Sequence, residues 1–118
     1  MDKSEITRLK ALSLAISDNF PNLVLEFVEK NNATNRAYSV DLHFTEVKYI
    51  DKERCVLKGK LDVASKPFGI GTIEYNFNTQ EFHRVSYSDK TTRSRKLHTL
   101  IIHNKEEINN LLTFISNY

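Results

Sequence analysis

The sequence predicts an α+β fold: an N-terminal helix, a five- or six-stranded antiparallel meander sheet, and a C-terminal helix packed on one sheet face. Three observations lead there. Apolar residues recur every three or four positions near both ends of the chain and every second position through the middle. The alternating segments lie too close together to leave room for a crossover helix, so neighbouring strands must run antiparallel. A length of 118 residues, with 40 % hydrophobic and 27 % charged side chains, suits one globular domain spanning 1–118.

The first helix is marked by Ile6, Leu9, Leu12 (or Ser13), Ile16 and Phe20, which fall on one stripe. Asp2 with Glu5 three positions later makes a capping box, and Phe20-Pro21 supplies the stop. The period then changes to two. Leu23, Leu25 and Phe27 alternate up to the Asn-rich turn at 31–35, and Tyr38, Val40, Leu42 and Phe44 form the next apolar face. After Phe44 the phase slips to Val47 and Tyr49, which predicts a bulge near Thr45-Glu46. Cys55, Leu57, Gly59, Leu61 and Val63 alternate with Val56, Lys58, Lys60 and Asp62, as in a sheet with one wet face. A turn is expected at Ser65-Lys66-Pro67-Phe68-Gly69. Ile73, Tyr75 and Phe77 then alternate up to the turn at 78–81, and 82–87 returns as the second arm of a hairpin.

Residues 97–102 read as a sixth strand, followed by a helix with the stripe Ile108, Leu111, Leu112 and Ile115 and a capping box at Asn104 and Glu107. The four-three spacing from Leu97 to Ile115 also fits one long helix. Strand then helix is favoured because Thr99, Ile101 and Ile102 are β-branched. The expected core comprises Leu25, Phe27, Tyr38, Val40, Leu42, Phe44, Leu57, Leu61, Ile73, Tyr75, Ile108, Leu111 and Ile115.

Several functional classes are set aside at this stage. No apolar run is long enough to cross a membrane, and Met1-Asp2-Lys3-Ser4-Glu5 has no secretory character, so a cytoplasmic location is expected. One cysteine cannot form an internal disulfide. The histidines at 43, 83, 98 and 103 lack metal-ligand spacing, so neither metal nor cofactor is expected. Glu46-Val47-Lys48, with Asp41 upstream, has the Glu-x-Lys spacing of Mg²⁺-dependent nucleases, yet the tripeptide is common by chance on a solvated strand face. Cys55 beside Arg54 is a candidate thiolate, set against the commoner role of a small core residue. Gly69-Ile70-Gly71 lacks the third glycine of a phosphate cradle.

One feature rises above this background. Residues 83–105 hold six Lys/Arg against one acid, for a net +5, while the rest of the chain carries −3. Arg84, Lys90, Arg93, Arg95 and Lys96 are therefore the candidate partner- or phosphate-binding residues. The expectation is a small non-enzymatic binding protein of the inhibitor, immunity or accessory-factor type. Its Asn-rich, Trp-free composition suits a bacterial or phage source. Its partner is expected to be an acidic protein surface or a ribonucleoprotein. Nucleic-acid binding through 84–105 is the alternative. A small ligand-binding protein or enzyme, with a pocket between sheet and helices, is the third reading.

Overall fold

The computed structural model describes residues 2–87, 90–93 and 98–118, with positions 84, 87, 90–93 and 98 described by their backbone alone. Helix α1 (Lys3–Asn19) starts as its sequence requires: Asp2 Oδ1 accepts the Glu5 N–H at 2.9 Å. That bond, with a second from the Ser4 hydroxyl, holds the Asp2 carboxyl below its ordinary range. The helix ends at Phe20, whose N–H still reaches Ile16 O. Leu9, Leu12, Ser13 and Ile16 are buried, whereas Ile6, expected on the same stripe, is exposed.

Seven strands follow: β1 (Val24–Asn31), β2 (Arg36–Ile50), β3 (Arg54–Val63), β4 (Lys66–Asn76), β5 (Glu81–Tyr87), β6 (Lys90–Arg93) and β7 (His98–Ile102). The first six form an antiparallel meander, and β7 returns to the far side of β1, giving the order β6-β5-β4-β3-β2-β1-β7. The expected helix–sheet–helix order holds, and 98–102 is strand. The additional strand is β6, a short cationic and hydroxyl-rich segment with no apolar alternation to announce it. The sheet curls into a nearly closed barrel. Three strands separate Phe27 on β1 from Phe82 on β5 in the sheet order, yet their rings meet at 4.9 Å.

The curl has local causes. The β2–β3 register slips between Phe44 and Glu46, at the predicted bulge, and again between Val47 and Tyr49. Gly59 on β3 and Gly71 on β4 are register partners, and each leaves room for the strand on its other side, at His43 O of β2 and Ser86 O of β5. The β3–β4 turn is centred on Ala64 and Ser65, both at positive φ (52° and 65°), and not on 65–69 as expected. Lys66 and Pro67 already pair with β3, because a two-residue hairpin turn matches the strand twist better than a longer loop.

Val47 lies between the two β2 irregularities, and a helix side chain takes over its hydrogen bond. Ser13 Oγ accepts the Val47 N–H at 2.8 Å and donates to Leu9 O at 2.8 Å. Removing that oxygen leaves a buried N–H without an acceptor. Ser13→Ala is therefore expected to lower unfolding free energy by about 1–3 kcal/mol. Exposed Ser17→Ala should stay within about 0.5 kcal/mol. Equal urea midpoints for the two variants would refute this bridge.

Helix α2 (Lys105–Asn117) starts at Asn104, but the Asn104 side chain does not cap it as expected. It completes the β1 ladder beyond the end of β7. Asn104 Oδ1 accepts the Glu26 N–H at 3.0 Å, and its Nδ2 donates to Val24 O at 2.7 Å and to Glu107 Oε2 at 3.1 Å. An amide side chain has the donor and acceptor of a peptide group, so it extends the sheet by one step.

The core joins the inner sheet face to both helices. Of the expected members, Tyr38 and Phe44 lie at its margin, only partly buried. Phe44 immediately precedes the bulge and sits where the strand begins to turn from the interior. Glu29 is buried in phase with Leu25 and Phe27, as the alternation of β1 dictates whatever the residue type. Phe20 and Phe114 meet edge to face at 5.7 Å and tie the end of α1 to α2.

Candidate functional site

Three of the five basic candidates lie on one margin of the sheet. Arg84 lies on β5, and Lys90 and Arg93 lie on β6, the outermost strand on that side. Arg84 and Arg93 are direct backbone partners, and Lys90 is paired with Tyr87 at the other end of the ladder. Arg95 and Lys96 lie outside the described residues. On the inner side of this row, Arg84 is registered against Glu74 of β4. Glu74 Oε1 accepts Arg54 Nη1 at 2.6 Å, and the Arg54 guanidinium also stacks 4.9 Å over the Tyr49 ring. The bond to Glu74 raises the Arg54 pKa further.

Like charges at directly opposed strand positions repel by about 0.2–1 kcal/mol relative to neutral pairs. A short cationic edge strand also discourages edge-to-edge aggregation, which is the competing explanation for the same residues.

The catalytic candidates are not brought together. Cys55 is fully buried, and desolvation pushes its thiol up to about 12. Arg54, expected to lower it, is held by Glu74 instead. The Thr45 bulge restores the phase between Asp41 and Glu46, but Glu46 pairs with Lys58 at 3.2 Å. Asp41 is instead registered between Glu26 and Asp62. His43 bonds Asp62 at 2.8 Å, and His83 contacts Thr79 at 3.1 Å. Among the described residues, no three His, Cys, Asp or Glu side chains gather as a metal site. Gly69 has φ 94° within β4 and serves a strand irregularity, while Gly71 is buried in the sheet.

A second feature was foreshadowed only as a pocket between sheet and helices. A cleft of about 620 Å³ opens where the start of α1 and the end of α2 diverge from the β2–β3 turn. Leu9, Ile50, Phe77 and Ile115 provide its apolar surface, and Arg8, Lys52 and Glu5 lie on its polar rim. Tyr49 and Asp51 complete the wall. Asp51 Oδ1 accepts the N–H groups of Glu53 and Arg54 at 2.7 and 2.8 Å, and Oδ2 accepts the Tyr49 hydroxyl at 2.8 Å. Those bonds, led by the Arg54 N–H, lower the Asp51 pKa, and the carboxylate raises that of Tyr49. The sequence signal for the turn was Asp51 two and three residues before the N–H groups it binds. The assembly of the cleft has no local signal, because its residues come from four separate segments.

No family, no characterised protein and no solved structure matches this chain, so its function is argued from these two features.

Proposed function

We propose that the protein is a non-enzymatic binding module whose cationic β5–β6 edge docks on an acidic partner. The supporting observation is the register pairing of Arg84 with Arg93 at the outermost strand. A fold needing only a soluble edge has no use for two arginines in opposition, since one acid in the pair would leave the edge ionised and hydrophilic and remove the repulsion. Arg guanidinium forks suit carboxylate pairs and phosphates alike. The preferred partner is an acidic protein surface or a ribonucleoprotein, since the −3 borne by the rest of the chain weakens general attraction to nucleic acid.

The register makes a test in which stability and binding move apart. Arg93→Glu replaces a like-charged pair with an opposite one, so the fold should gain about 0.2–1 kcal/mol or stay unchanged. Adding Arg95→Glu should reduce partner binding about tenfold or more, mainly through the association rate. The measurement is retention of partner by tagged wild type and double variant from the source cell, with and without nuclease. Retention by the wild type that is insensitive to nuclease and lost in the double variant supports a protein partner. Retention abolished by nuclease, with steep salt dependence, supports nucleic acid. Full binding by a folded double variant places the working surface elsewhere.

A further inference from the structure

We infer that the cleft between α1, α2 and the β2–β3 turn binds a small amphipathic anion, its apolar body on Leu9, Ile50, Phe77 and Ile115 and its charged head at the Arg8 and Lys52 rim. This site is separate from the β5–β6 edge and does not depend on the docking role proposed for it.

Three observations carry the inference. The first is size and composition: about 620 Å³, with apolar surface from four segments and the charged Glu5, Arg8, Asp51 and Lys52 around it, is within the size range of a small-molecule pocket. The second is that the walls are already held in place. The Tyr49 ring is fixed by its hydroxyl bond to Asp51 and by the Arg54 guanidinium stacked on it at 4.9 Å. The Phe77 ring stands edge-on to Tyr75 at 5.4 Å. A ligand entering there meets surfaces that need little further ordering, which removes a usual cost of binding.

The third observation is the state of the rim charges. Asp51 already accepts three hydrogen bonds within its own turn, so its lone pairs are largely committed. Arg8 and Lys52 form no ion pair among the described residues. An arginine fork and a lysine ammonium beside an apolar floor favour a carboxylate on an aliphatic or aromatic body. Glu5 stands on the same rim and opposes that charge, which provides a test of sign.

The experiment is an NMR titration of the ¹⁵N-labelled 118-residue chain with octanoate, using octanol as the uncharged counterpart. Octanoate should give saturable shifts centred on Leu9, Tyr49, Lys52, Phe77 and Ser116, with octanol weaker by about tenfold. Arg8→Gln and Lys52→Gln should each weaken octanoate several-fold, and Glu5→Gln should strengthen it. All three side chains are exposed, so unchanged melting curves can confirm that these variants are folded. Failure of octanoate to saturate, equal binding of octanol, or the same affinity in all three variants would overturn the inference. Binding at the cleft with the β5–β6 edge reversed would show that the two sites are independent.

Discussion

Phe27→Ala should lower the unfolding free energy by about 3–5 kcal/mol. Phe27 is 1 % exposed and sits on β1, which is paired on both sides, with β2 and β7. Its ring reaches across the barrel to Phe82 at 4.9 Å, and Phe82 in turn meets Tyr75 at 4.7 Å. Truncation removes apolar burial and an aromatic contact, and leaves a cavity that two-sided strand pairing prevents from collapsing. Against a total stability of about 5–15 kcal/mol for a domain, that loss is obvious in a melt. Leu111→Ala, on the buried face of α2, should cost about 2–5 kcal/mol for the same reason. Phe44→Ala should cost less than either, because its ring is only partly buried at the bulge. A urea series on the three variants checks the order, and a Phe44 effect equal to that of Phe27 would contradict the described packing.

Gly59→Ala should destabilise by about 3 kcal/mol or more, towards the upper end of overpacking costs. The sign is informative. In an unobstructed strand, alanine is better than glycine by roughly 0.5–1 kcal/mol, because glycine loses more freedom on folding. At Gly59 the added methyl would overlap the His43 carbonyl, a backbone group of the adjacent strand that no rotamer change can move aside. The strands must separate at the point where β2 bulges and the sheet turns inward. Gly71→Ala meets the Leu61 side chain as well as the Ser86 carbonyl, so part of its strain can relax through a rotamer. Gly59→Ala should therefore be the worse of the two in thermal and urea unfolding. A more stable Gly59→Ala protein would mean that the barrel corner is looser than described.

These two cases divide what local pattern announces from what it does not. The face of Phe27 follows from its alternation with Leu25, and the cap at Asp2 follows from the three-residue step to Glu5. The bulge after Phe44 follows from a break in phase. Each is readable because the cause lies within a few residues of the effect. The same alternation accounts for buried Glu29, which was not among the expected core residues because its type argued the opposite.

Asn104 shows where local reading stops. Its spacing to Glu107 is a sound capping signal, but β1, nearly eighty residues earlier, offers an unpaired N–H and C=O that its amide fits better. Cys55 reverses in the same way, because burial outweighs a basic neighbour in sequence whose guanidinium is held by Glu74. For the candidate sites, charge counting picked out the segment containing Arg84, Lys90 and Arg93, and only strand register made Arg84 and Arg93 a facing pair. A pocket between sheet and helices was expected only in general, and no local pattern marked the cleft beside Arg8 and Lys52. Periodicity and composition therefore determined the elements other than β6, most of their inner faces and the charged segment, since these depend on neighbours along the chain. The barrel closure, the Ser13 and Asn104 bridges, the paired arginines and the cleft depend on groups tens of residues apart, and only the tertiary fold decides which of those groups meet.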